Sequence, residues 1–218
     1  MDDRRFLCAA TTALTIFLCA NVALADAHED FERPRTEVGF GMLAGNFQVG
    51  NVSGPGIGVH LDAGRQWGRI KLFGEYNFLL IGQDSFTNED PVRGFLNRLG
   101  AGARYTIGEI SGNRVPLQGA FWVEGGLGRQ FVTWHEGGKL TRDDIALGFG
   151  AQLNVRVRRG DKPKVFGIYY AFRMVIADGP DADKMSTVPT CAGPCDGPTT
   201  PTGLDFGAFF NVGISWGR

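Results

Sequence analysis

From residue 36 onward the chain alternates apolar with polar or small positions in run after run, most cleanly in "DIALGFGAQLNVRVRRG" at 144–160. Ile145, Leu147, Phe149, Ala151, Leu153, Val155 and Val157 share one parity, while Ala146, Gly148, Gly150, Gln152, Asn154, Arg156 and Arg158 share the other. A period of two belongs to a strand, whose side chains alternate between faces. Eight such segments follow one another, at 36–47, 55–66, 69–82, 96–109, 117–132, 144–158, 164–177 and 204–217, with no comparable helical segment between them. Soluble strands average about 5–6 residues, whereas a tilted strand needs roughly 9–11 to cross a bilayer. The segments have the second kind of length.

The connections alternate as well. After the second, fourth and sixth segments come "RQWGR", "ISGNRVP" and "RGDKPK"; after the third, fifth and seventh come "QDSFTNEDPVRGF", "TWHEGGKLTRD" and a long stretch ending "TCAGPCDGPTTPTG". Only "GNVSGPG", after the first, breaks the rule by being short. Short turns at one end and long polar loops at the other are the layout of an outer-membrane barrel. The predicted fold is therefore all-β, an eight-stranded antiparallel up-and-down transmembrane β-barrel over residues 36–218.

Taking the apolar parity of every segment gives one wall, from Val38, Phe40 and Met42 round to Phe210, Val212, Ile214 and Trp216. The opposite parity carries His60, Asp62, Lys71, Glu75, Arg98, Arg104, Glu124, Gln152, Asn154, Arg156, Arg173 and Asn211, with glycines between them. A soluble sandwich would turn the charges outward, and a periplasmic ligand-binding barrel of lipocalin outline would hold the apolar parity inside. The sandwich has no helix or spare apolar strand to cover its second layer. Tyr105, Phe131 and Trp216 instead gather near strand ends, where an interfacial aromatic girdle belongs. The 33 glycines, far above ordinary usage, fit an eight-stranded lumen only just wide enough for side chains.

Charges in such a lumen need partners. Counting along the strands places Glu75, Arg104 and Glu124 at similar heights, so Arg104 is expected to bridge both carboxylates. Arg173 and Arg156 are expected to draw on Asp205, Asp62 or water. Arg129, on the apolar parity near a strand end, is expected to snorkel toward headgroups.

The first 25 residues read as a cleaved secretory signal, with Arg4 and Arg5, an apolar stretch from Phe6 to Ala20, and Ala23-Leu24-Ala25 before polar sequence. Residues 26–35 form a short N-terminal periplasmic segment. Cys191 and Cys195 are then the cysteines left after processing, read as one local disulfide in an oxidising compartment. Too few further ligands lie near them for zinc. No metal or cofactor is expected. The net charge of −1 gives no reason for a nucleic-acid partner.

Three functional classes remain besides the soluble barrel. The leading one is a structural or surface-interaction barrel, its lumen filled by polar side chains and its external loops the contact surface. A small porin-like pore is the alternative, and would require the Glu75, Arg104 and Glu124 cluster to rearrange. A lipid A-modifying enzyme would need an activated nucleophile near the outer leaflet. His135, Glu136 and Ser85 stand in loops without a motif for it, so catalysis is not expected. The acidic loop residues Asp84, Glu89, Asp90, Asp178, Asp181 and Asp183, like the basic Arg158, Arg159, Lys162 and Lys164 at the other end, read as solvated faces.

The chain resembles the small eight-stranded outer-membrane barrels of Gram-negative bacteria, namely the transmembrane domain of the OmpA family and its OmpX-like relatives. The likeness spans the whole mature chain as pattern and layout. In the last segment Asp205-x-Gly207-x-x-Phe210-x-Val212 is similar to the signal by which the barrel assembly machinery recognises its clients. The resemblance implies an outer-membrane location, contact with outer-membrane lipids and lipopolysaccharide, a monomer, and the assembly machinery as a partner during insertion. Family members often end on an aromatic residue, whereas here Gly217 and Arg218 follow Trp216. No peptidoglycan-binding domain follows, so no cell-wall tether is expected.

Overall fold

The computed structural model describes residues 35–49, 52–82, 93–111, 117–134, 139–158, 164–179 and 203–218. The signal segment, almost all of 26–35, the cysteine pair Cys191 and Cys195, and His135, Glu136 and Ser85 lie outside them. Eight strands close into one antiparallel barrel in chain order: β1 (Thr36–Val49), β2 (Val52–Trp67), β3 (Ile70–Gly82), β4 (Arg93–Ser111), β5 (Leu117–Trp134), β6 (Lys139–Arg158), β7 (Lys164–Asp178) and β8 (Leu204–Gly217). Each strand pairs with the next, and β8 pairs with β1. No helix occurs among the described residues. The fold class read from the alternation is met. Both ends of the described barrel, Thr36 and Arg218, meet at its inner end, joined by backbone bonds of 3.0 and 2.9 Å.

The register sets the barrel's shape. Followed from Met42 through Val59, Phe78, Asn97 and Phe131, hydrogen-bonded partners reach β6 at Thr141. Followed the other way, through Val212 and Tyr170, they reach β6 at Ala151. Thr141 and Ala151 stand ten residues apart, which is the stagger of the closed sheet. For eight strands that stagger corresponds to a strand tilt of about 40° and a narrow lumen.

Alternation settles which face is which. Phe40, Leu127, Phe149, Tyr170 and Ile214 are exposed, while Asp62, Glu75, Arg98, Glu124 and Arg173 are buried. The apolar parity is the outside of the barrel. Ala151 has the outward parity yet is covered, because Phe121 and Tyr170 flank it on β5 and β7. Two departures from strict alternation are bulges, between Thr106 and Gly108 on β4 and between Arg156 and Arg158 on β6. The first falls on Ile107, which the alternation places on the outer wall; an extra residue shifts parity, so Ile110 is the outward position beyond it. In the β2–β3 turn Gly68 adopts φ 56°, the left-handed region in which glycine meets no steric penalty.

β6 starts at Lys139, not at 144. Lys139, Thr141 and Asp143 face out while Arg142 and Asp144 face in. With polar side chains on both faces, the hydrophobic alternation that marks a strand disappears.

Candidate functional site

The lumen is filled, and its central layer is ionic. Among the described residues six carboxylates are buried (Glu37, Asp62, Glu75, Glu124, Asp144, Asp205) against five cations (Lys71, Arg98, Arg104, Arg142, Arg173). That near-balance is what makes such burial tolerable, since an unmatched charge out of water is very costly.

Arg173 on β7 reaches across the lumen. Its Nε donates to Glu124 Oε1 at 3.0 Å, and its Nη1 donates to Glu75. Arg98 on β4 donates to both oxygens of Asp144, from Nε at 2.9 Å and from Nη2 at 2.7 Å, and also to Glu75. Arg104 donates from Nε to Glu124 Oε2 at 3.0 Å and lies 4.3 Å from the centre of the Trp122 ring. The bridging cation between Glu75 and Glu124 is therefore Arg173 and not Arg104. The difference is geometric: Arg173 projects from the opposite wall, where a long side chain spans the narrow bore, while Glu124 is the direct register partner of Arg104. Asp62 belongs to a separate group with Lys71 (2.7 Å), which also holds Glu37 (3.1 Å). His60 stands between the groups, its Nδ1 2.5 Å from Asn77 Oδ1 and its Nε2 3.5 Å from Asp62. Arg156 is only half-buried, at the inner end.

Above this layer, toward the outer end, the lumen changes character. Arg142 donates to Asp205, to Gln130 Oε1 at 2.9 Å and to the Gln48 carbonyl at 2.8 Å. Around that cluster lie Leu43, Phe47, Leu79, Leu96, Val132, Leu140 and Phe209, all buried and all facing inward. A lumen filled by polar side chains alone is thus corrected: its outer third has an apolar core. At the inner end the filling is mixed: the Lys71–Glu37 pair stands there with buried Trp122 and Tyr169 and with neutral polar side chains, Gln152 Nε2 donating to Ser215 Oγ at 2.8 Å.

The glycines are where the side chains need room. A Cβ on Gly128 would come within 2.5 Å of the Arg98 guanidinium, and one on Gly126 within 2.7 Å of the Ala101 carbonyl. A cavity lined by Phe47, Arg142, Val175, Asp205 and Phe209 has barely space for one water. No group of three or more metal-ligating side chains is present among the described residues.

Of the residues singled out from the sequence, Glu75, Arg104, Glu124 and Arg173 come together, Asp62 joins a neighbouring group, and Arg156 lies half-buried at the inner end. In the last strand Asp205 faces the lumen and holds Arg142, Gly207 is half-buried, and Phe210 and Val212 lie on the exposed wall. Sequence reasoning misses Asp144 and Arg142 as members of the lumen. Arg142 lies ahead of the alternating run, where no apolar parity assigns it a face; Asp144 opens that run on the parity of Ala146 and Gly148, the signal that could have placed it in the lumen.

No family model and no curated protein matches the sequence. Among solved structures, Neisserial surface protein A superimposes with a TM-score of 0.50 over 84% of this chain and 97% of its own, at 13% identity. Ail, the attachment invasion locus protein of Yersinia pestis, covers 85% of this chain and 99% of its own, at 12% identity and TM-score 0.37. A major outer membrane protein of Thermus thermophilus covers 83% and 98%, at 14% identity and TM-score 0.33. At such identities a likeness speaks for the fold alone, and the first is the superposition that carries it. The chain has the fold of the small eight-stranded outer-membrane barrels that its strand pattern resembles.

Proposed function

We propose that this protein is an integral outer-membrane β-barrel with a structural or surface-interaction role, closed to solutes by its own side chains, and that its external loops are the contact surface. The observation that carries the reading is the inverted wall. Large apolar residues such as Leu127, Phe149, Val38 and Met42 are exposed at 67%, 59%, 57% and 61%, while Glu37, Glu124, Arg142 and Asp144 of the same strands are buried in the lumen. Water would make that arrangement aggregate, whereas lipid is its natural solvent. Export by a cleaved signal, delivery by the assembly machinery and contact with lipopolysaccharide belong to the same reading, as does a monomeric state.

The closed lumen argues against conduction. Refolding the chain into vesicles, verifying insertion by a heat-modifiable gel shift, and recording in planar bilayers tests this. No discrete current steps are expected. Reproducible steps from an inserted barrel would replace the closed platform with a pore. Lipid A recovered from cells making the protein is expected to keep its mass; a change would point to an enzyme.

A further inference from the structure

The outward apolar runs of β8 and β6 are equally long but stand at different heights. On β8 the run takes alternate positions from Leu204 to Trp216, and on β6 from Ile145 to Val157. Hydrogen-bonded rows through β7 join Phe206, Ile176 and Ile145 near one end and Trp216, Phe166 and Val155 near the other. Such rows are not level. A ten-residue stagger shared by eight strands makes each row climb about 1.25 residues per strand. Lumen contacts give the sense of the climb: Asp205 is the row mate of Asp144, yet it pairs with Arg142, two residues nearer the outer end of β6. Trp216 therefore stands about two and a half residues above Val155, close to the level of Leu153. Val157 lies one outward position lower still. With roughly 2.5 Å of axial rise per residue on strands so tilted, the β6 run is displaced about 11 Å toward the inner end.

Both ends of β6 agree with that displacement. At its outer end the run stops at Asp143, which pairs with Arg129 of β5 at 2.7 Å, both side chains well exposed on the outer wall. At about the same height β8 presents Phe206. At the inner end Leu153 and Val157 remain exposed, and Ile110 of β4 joins them beyond its bulge. The inner ends of β1 and β2 have instead reached Thr36, Arg65 and Trp67.

We propose that the barrel stands obliquely in the membrane, its β5–β6 side raised toward the cell exterior. Leu153, Val157 and Ile110 then lie in inner-leaflet hydrocarbon, continuous with the lipid-facing wall above them, and the Arg129–Asp143 pair emerges among outer-leaflet phosphates. An upright barrel would hold that pair against acyl chains and leave the three apolar side chains in water, each unfavourable. Phe131, one outward position above Arg129, takes an interfacial place beside it. The inference rests on the membrane reading given above.

Depth-resolved fluorescence separates the two. With the four natural cysteines changed to serine, single labels are placed at Leu153→Cys, Val157→Cys, Trp216→Cys and Val212→Cys. The labelled chains are refolded into phosphatidylcholine vesicles containing lipids brominated at graded depths, with iodide as the water-borne quencher. The label at 153 is expected to sit deeper than that at 216, and the label at 157 to be quenched severalfold more by bromolipid than by iodide. Equal depths at 153 and 216, with 157 open to iodide, would overturn the oblique orientation while a lipid-quenched 212 keeps the barrel in the membrane. A label at 212 quenched by iodide and not by lipid would remove the membrane reading, and the orientation with it.

Discussion

The middle and the outer third of the lumen fill the same bore by different means. In the middle, Glu75 and Glu124 each bond two arginines, one of them Arg173 from β7 and the other from β4. The backbone ladder ties each strand only to its neighbours, so these contacts are what join non-adjacent walls. In the outer third, Leu43, Phe47, Leu79 and Leu96 fill space by volume, with no partner specified. Directional contacts select one arrangement of the strands, and apolar packing then stabilises whatever arrangement is selected. The ionic layer should accordingly be intolerant of chemistry, and the apolar layer intolerant of volume.

The sharpest way to break the comparison is Arg173→Met. It leaves Glu75 and Glu124 buried with one cation fewer between them, and removing one partner of a buried pair costs about 3–5 kcal/mol. Urea unfolding of the refolded barrel reads the loss as a lower midpoint. Adding Glu75→Gln to that variant leaves Arg98 with Asp144 and Arg104 with Glu124, and most of the loss should return. A single variant as stable as the parent would mean that the ion pairs do not hold the walls together.

Leu79→Ala tests the other layer. Leu79 is 1% exposed, and truncating a buried leucine costs about 2–4 kcal/mol, whereas Leu79→Met, which conserves volume, should stay within about 1.5 kcal/mol. Arg98→Lys is the matching test on the ionic side. It keeps the charge but loses the two-pronged bond to Asp144, for an expected cost of about 1–3 kcal/mol in the same unfolding measurement. If lysine at 98 proved as harmless as methionine at 79, the contrast between the layers would collapse.

How much of this was legible in the sequence follows from the same division. The wall was readable because lipid on one side and a narrow bore on the other impose a strict period of two, and all eight strands were found. The pairings within the bore were not, since they depend on stagger: Arg104 and Glu75 look level along the strands, but it is Arg173, far away in sequence, that crosses to Glu75. Arg142 escaped because polar residues on both faces erase the period ahead of residue 144, whereas Asp144, at the edge of the run, stood on the lumen parity with no neighbour to mark it as a partner. The apolar core of the outer third was hidden for the converse reason. Phe47, Leu79 and Leu96 sit where strands meet loops or next to outward leucines, so they look like noise in the alternation rather than a layer of their own.

The smallest effect is expected at the ion pair on the outer wall, in full view of solvent and headgroups. Arg129 Nε donates to Asp143 Oδ1 at 2.7 Å with 57% and 66% of the two side chains exposed. An exposed pair gains little from its partner, because the medium screens the attraction and two side chains must be held still. Arg129→Gln should therefore leave the urea midpoint of the refolded barrel unchanged, in contrast to every lumen variant above. A measurable drop in detergent would mean that the pair is held as part of the fold. An unchanged midpoint would set Arg129 apart from the five buried cations, as a side chain placed for what lies outside the barrel.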